Sequence, residues 1–166
     1  MTKETYFKMT QPFRDHPGLA KSLHRLNDLF SGIIFISYPL LVFWLFFRKD
    51  PGILKAILVP LDGFIAVTVF RGMCNRKRPY EKFETEPVIP KDTKGKSFPS
   101  RHVFSAAVIA LTVCMQPHLI GIGILFLAFS VGIAVIRVVS GVHYISDVLA
   151  AFIFAAAIWE IGYCLF

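Results

Sequence analysis

Three short polar groups interrupt an otherwise apolar chain. Arg71 and Arg78 are separated by six residues, with Pro79 directly after; Pro99, Ser100, Arg101 and His102 form one run; Arg137 precedes His143 by five intervening residues, and His143 precedes Asp147 by three. If the last group opens a helix, His143 and Asp147 share a face, and the carboxylate accepts a hydrogen bond from one imidazole nitrogen and fixes the tautomer. A histidine held in this way is a nucleophile or a base with its orienter. Eighteen Lys and Arg against eleven Asp and Glu leave a net charge of +7, which on a membrane protein suggests anionic headgroups or phosphate substrates. Two Trp and five Tyr do not interleave with the basic runs, so no nucleic acid is expected as a partner.

Composition says what kind of scaffold must hold these groups. The chain is 55% hydrophobic and 17% charged, with a mean hydropathy of +0.59, too apolar for an ordinary soluble domain. Its 166 residues fit a single domain. Cys74, Cys114 and Cys164 are too few and too scattered for a disulfide framework or a Cys-rich metal site. Crossing ~30 Å of hydrocarbon takes about 20 apolar residues, and segments 31–47, 53–70, 119–139 and 144–166 approach that length. A fifth, 100–116, is apolar only from Val103 to Met115, thirteen residues that alone suggest a buried or re-entrant helix; counted from Ser100 it reaches about 25 Å, enough to span if its first turn faces a wet cavity. Residues 1–28 mix charges with isolated apolar positions, so neither a cleavable signal peptide nor a span is expected there. Leu19, Leu23, Leu26, Leu29 and Phe30 recur at helical spacing and predict an interfacial helix. The fold class is therefore all-α: a polytopic membrane bundle of about five transmembrane helices, preceded by an interfacial segment 1–28 and interrupted by a polar loop 71–99. Alternating crossings bring the three polar groups, more than 70 residues apart at the extremes, to one bundle end.

At these residues the chain resembles the type 2 phosphatidic acid phosphatase family, which shares its motifs with vanadium haloperoxidases and soluble bacterial acid phosphatases. The first family motif, Lys, six residues, Arg-Pro, is matched by Arg71, Arg78 and Pro79, with arginine for lysine. Pro-Ser-Gly-His is matched by Pro99 to His102, with Arg101 for glycine. Ser-Arg, five residues, His, three residues, Asp is matched by Ile136, Arg137, His143 and Asp147, with isoleucine for serine. The resemblance implies that His143 attacks phosphorus while Asp147 holds its other nitrogen, and that a phosphohistidine is then hydrolysed by water. It implies His102 as general acid for the leaving group. Arg71, Arg78, Arg137, Ser100 and the amides at the start of the third span would bind phosphate, the arginines through planar forks that match its oxygens. No metal and no cofactor are called for.

Arg101 admits two readings: a side chain in solvent with the amide still working, or an added phosphate-binding donor that favours a diphosphate. Ile136 gives up one hydrogen bond at most. The expected substrate is a lipid phosphate at the bilayer, such as a polyprenyl diphosphate, phosphatidate or phosphatidylglycerophosphate, with oligomeric state undetermined. The alternatives are a haloperoxidase-like or phosphotransferase use of the pocket, or a non-enzymatic binder or transporter of anionic lipid. The short one-domain form suggests a bacterial cell membrane. Fifteen basic residues lie on the motif side against three on the other, which points the site to the cytoplasm; the resemblance points it outward, and outward is the expectation. Asp62, mid-span, is expected to have a structural, hydrogen-bonded or protonated partner. Gly121, Gly123 and Gly132 are expected to allow close helix packing.

Overall fold

Proline and glycine punctuate the chain into helices whose ends fall where the polar groups lie. The computed structural model describes residues 1–165 and comprises α1 (Lys3–Asp15), α2 (Pro17–Phe47), α3 (Ile53–Cys74), the one-turn α4 (Pro79–Lys82), α5 (Arg101–Cys114), a 3-10 turn (Pro117–Leu119), α6 (Ile120–Val139) and α7 (Ile145–Leu165). No strand occurs among the described residues. Four helices, α2, α3, α6 and α7, are long and apolar enough to cross a membrane.

Two boundaries differ from the sequence reading. The N-terminal segment is two helices rather than one: α1 stands alone, and Pro17 at the first helical position starts α2, which runs unbroken into the first span. No proline or polar turn separates Leu19–Phe30 from the apolar residues that follow, so the surface turns and the span propagate as one 31-residue helix of about 46 Å. Helix α3 continues past residue 70 to Cys74 and stops at Asn75, which takes the left-handed conformation at φ 36°. Arg71 thus sits in a helical last turn rather than in the loop.

Helix α5 is the axis of the bundle. It has only 14 residues, yet Val103, Phe104, Ala106 to Ala110, Thr112 and Val113 are all buried, on every side of the helix, because α2, α3, α6 and α7 surround it. A helix apolar all round belongs in such a position. Small residues let the neighbours close in. A Cβ on Gly63 would lie 2.7 Å from the Phe104 ring, one on Gly132 would lie 2.8 Å from Phe30, and one on Gly123 would lie 2.7 Å from the backbone nitrogen of Cys114. Gly121, by contrast, faces open space. Asp62 lies on the exposed outer face of α3, away from the buried stripe Val59, Gly63 and Val67.

Helix α1 straps the corner between α6 and α7. Its Tyr6 is fully buried, packs on Phe83 with ring centroids 5.1 Å apart, and fills the space where Gly141 lacks a side chain. Gly141 has φ +74°, and a Cβ there would stand 2.6 Å from the Tyr6 hydroxyl. Both the backbone conformation and the space demand glycine two residues before His143. Gly141→Ala should therefore destabilise the protein by ~1–3 kcal/mol, read as a lowered midpoint of thermal unfolding in detergent; an unchanged midpoint would show that the corner relaxes around a methyl group.

Candidate active site

The sequence groups meet at one end of the bundle, where α3 ends, α5 begins and the α6–α7 corner turns. Backbone bonds join them: Ser100 N–H donates to the Asp147 carbonyl at 3.0 Å, and both Val142 and His143 N–H donate to the Arg137 carbonyl at 3.1 Å. The long loop folds against the same corner, with Val88 N–H on the Ser140 carbonyl at 3.0 Å.

His143 is buried, with 2% of its surface exposed. Its Nδ1 lies 3.4 Å from Oδ2 of Asp147, and its Nε2 lies 3.4 Å from Nη1 of Arg78. Arginine only donates and an ionised carboxylate only accepts, so this pair of neighbours assigns the proton to Nδ1 and the lone pair to Nε2. Burial is the main cause that holds the imidazole well below its ordinary range, at about 4, with Arg78 pushing the same way and the Asp147 hydrogen bond opposing. The ring is accordingly neutral at neutral pH.

Asp147 has no exposed side-chain surface. Besides His143, its Oδ2 accepts from Ser97 Oγ at 2.5 Å and from the Tyr144 amide at 3.0 Å, and its Oδ1 accepts from Nη1 of Arg76 at 2.8 Å. Ser97 and Arg76 were not singled out in the motifs; both lie in the loop, where no periodicity marks a residue that folds back. Arg76 differs from the other loop cations only in its contacts.

The arginines are oriented by carbonyls of the loop. Arg71, 7% exposed, donates to Pro99 O at 3.1 Å and Lys96 O at 2.5 Å. Arg78, 2% exposed, donates through Nε to Gly95 O at 3.0 Å, so its Nη groups face His143. Glu81 fixes that geometry by accepting from the amides of both Arg78 and Gly95, at 2.8 and 2.7 Å. Its position, two residues after the helix-opening Pro79, is a capping signature that could have been read from sequence. Arg137 is buried at the C-terminal turn of α6 and Ser100 at the start of α5; Nε of the first and Oγ of the second have no protein partner. Together with Arg71 and Arg78, Arg137 brings to three the guanidiniums buried in the chain, and neither of these two unpartnered atoms has a counter-charge or donor–acceptor mate among the described residues.

Arg101 and His102 form the first turn of α5. His102 is partly buried, its ring 6.5 Å from Phe35. Arg101 is half-buried, with its guanidinium carbon 5.3 Å from the centre of the Phe64 ring. Lys91, from the long loop, belongs to the same cationic cluster: burial first, then Arg137, Arg78, Arg101 and Arg71, lower its ammonium below the usual range.

A polytopic helical membrane protein that gathers an oriented histidine and several guanidiniums at one bundle end has the makings of a phosphoryl-transfer site. The PAP2 superfamily profile matches residues 52–166, and the chain belongs to that superfamily. In fold it is similar to LpxE of Aquifex aeolicus (TM-score 0.74, 21% identity, covering 97% of this chain and 93% of that one). It is also similar to a transmembrane PAP2-type phosphatidylglycerolphosphate phosphatase of Bacillus subtilis (TM-score 0.71, 20% identity, covering 98% and 85%). No curated protein sequence matches it.

The tautomer and the burial of His143 have a measurable counterpart. In a ¹⁵N NMR titration of the protein in micelles, His143 should stay neutral through pH 6 and protonate only near pH 4, in the order set by its lowered affinity for the proton. A midpoint at an ordinary histidine value would mean that the ring is open to water.

Proposed function

We propose that this protein is a membrane lipid-phosphate phosphatase that works through a phosphohistidine, with the roles carried by His143, Asp147, His102 and the arginine cradle. The observation that carries the reading is the contact of His143 with both Asp147 and Arg78. Nε2 has its lone pair on the side where Arg78 would hold a phosphoryl oxygen, and the Nδ1 proton faces a carboxylate that stabilises the positive charge the ring acquires on attack. Phosphorus would be taken by Nε2 as the P–O bond to the alcohol or phosphate leaving group breaks, with His102 giving the departing oxygen its proton. Water then attacks the phosphohistidine and releases inorganic phosphate. Arg71, Arg78 and Arg137, with Ser100 and the amides opening α5, would bear the charge on the equatorial oxygens, so no Lewis acid is called for.

A lipid substrate is supported by what lies beside His102. An apolar groove of about 440 Å³, lined by Phe35, Tyr38, Pro60, Phe64, Ser105 and Val108, runs between α2, α3 and α5 along the bundle surface. Phe35 flanks His102 and Phe64 flanks Arg101, so the groove begins where the leaving group would be protonated. An acyl or prenyl chain lying there puts its phosphate at the cradle without leaving the hydrocarbon. The active site is proposed to face outward from a bacterial cell membrane.

Phosphate release from a panel of lipid phosphates in detergent tests the reading. Turnover should persist in EDTA, and orthovanadate should compete with substrate as a five-coordinate mimic bonded to the imidazole. Rapid quench with labelled substrate should give an acid-labile phosphoprotein, absent in His143→Ala; equal labelling of both proteins would sink the covalent route.

Arg101 tests substrate class. If its guanidinium leaves Phe64 for a second phosphate, Arg101→Gly should lower kcat/KM for a polyprenyl diphosphate by about tenfold or more, one charge-assisted bond, and change phosphatidate hydrolysis little. Equal effects on both substrates would assign Arg101 to the groove wall alone.

A further inference from the structure

We propose that Arg76 is a positioning residue of this site, acting on His143 through Asp147. The proposal rests on the reading of His143 as the nucleophile. The carboxylate of Asp147 is buried and carries its donors unevenly: Ser97 Oγ, the Tyr144 amide and His143 Nδ1 all address Oδ2, at 2.5, 3.0 and 3.4 Å. The histidine bond is the longest of the three. Bonds to one oxygen leave the group free to pivot about that oxygen, and a pivot redistributes the donors between both oxygens. Arg76 supplies the second fixed point, donating from Nη1 to Oδ1 at 2.8 Å.

Arg76 is itself held from three directions. Its Nη1 also donates to Ser146 Oγ at 2.9 Å, its guanidinium carbon lies 4.2 Å from the Tyr144 ring centre and 5.9 Å from that of Phe98, and its own carbonyl accepts from Ser97 N–H at 2.9 Å. One residue therefore sets both the Oδ1 contact and the backbone that carries the Ser97 donor. Arg76 stands on the Asp147 side of the imidazole, while Arg78 stands at Nε2, where phosphorus would bond. It orients the carboxylate and does not touch the reacting atoms.

The test compares the full chain with Arg76→Gln and Arg76→Lys, each in the wild-type and the Asp147→Asn background. Arg76→Gln should lower kcat by about tenfold or more, the loss of one charge-assisted bond to the carboxylate, with KM unchanged and vanadate inhibition weakened in step, since vanadate bonds the same imidazole nitrogen. Arg76→Lys should fall between, because a point charge keeps attraction but loses the fixed fork. In the Asp147→Asn background the Arg76→Gln change should cost less than about twofold, since coupled residues are not additive. A raised KM at unchanged kcat, or a full multiplicative loss in the double variant, overturns the proposal. A second readout needs no turnover: ¹⁵N shifts of His143 should show one tautomer in the wild type and a mixture in Arg76→Gln. Unchanged shifts overturn the positioning role even if the protein is a phosphatase. Shifts that change in a protein releasing no phosphate from any lipid overturn only the phosphatase reading. Should Arg76→Gln fail to fold, the same two readouts on Arg76→Lys decide, and parity with wild type in both rejects the role.

Discussion

One buried carboxylate ties the polar end of this bundle together. Asp147 receives side-chain and backbone donors from the α3–α4 connection, the long loop and the α6–α7 corner, and its carbonyl receives the amide that opens α5. Each partner comes from a different stretch of chain, so the position of one group defines where four segments end. A buried anion that loses a donor is costly, at roughly 1–3 kcal/mol for each hydrogen bond left unmade and more where the group is charged. That cost favours the arrangement in which every donor is engaged, and in it the Nδ1 proton of His143 faces the carboxylate.

The arginines impose the complementary demand. Three guanidiniums buried within one bundle end repel each other and have many N–H groups to satisfy. The structure answers with main-chain oxygens of residues 95, 96 and 99 for Arg71 and Arg78, presented by a loop whose path is fixed by Glu81. The loop is long because it must visit the carboxylate, the guanidiniums and the corner in turn. Gly95, at φ +62° with Asn75 Oδ1 2.4 Å from where a Cβ would be, allows the close passage that brings its carbonyl to Arg78.

Helices and their convergence were legible in the sequence because apolar length and motif spacing are local properties. His143 and Asp147 could be placed on one face from a four-residue interval, and Arg71 to Arg78 could be assigned to one bundle end from the count of crossings. What was not legible depends on folding back across the chain. Arg76 looks like any loop cation until the loop delivers it to Asp147, and Ser97 has no pattern around it at all. The break expected between the surface segment and the first span did not occur, since polarity changes there without any residue that stops a helix. The shortness of α5 was visible and already suggested a buried or re-entrant helix; that α2, α3, α6 and α7 all pack around it was not, because sequence spacing does not name the partners.

The strap made by α1 bears on how the protein is made. The Gly141 hollow that receives the Tyr6 ring lies 135 residues later in the chain than Tyr6 itself. At roughly 5–20 residues per second, synthesis of that interval takes on the order of ten seconds. For all of that time α1 lacks its hollow, and for rather more than half of it Phe83 as well. Docking of Tyr6 against Gly141 therefore cannot precede synthesis of the corner that carries the histidine, and the strap is a contact closed across most of the chain.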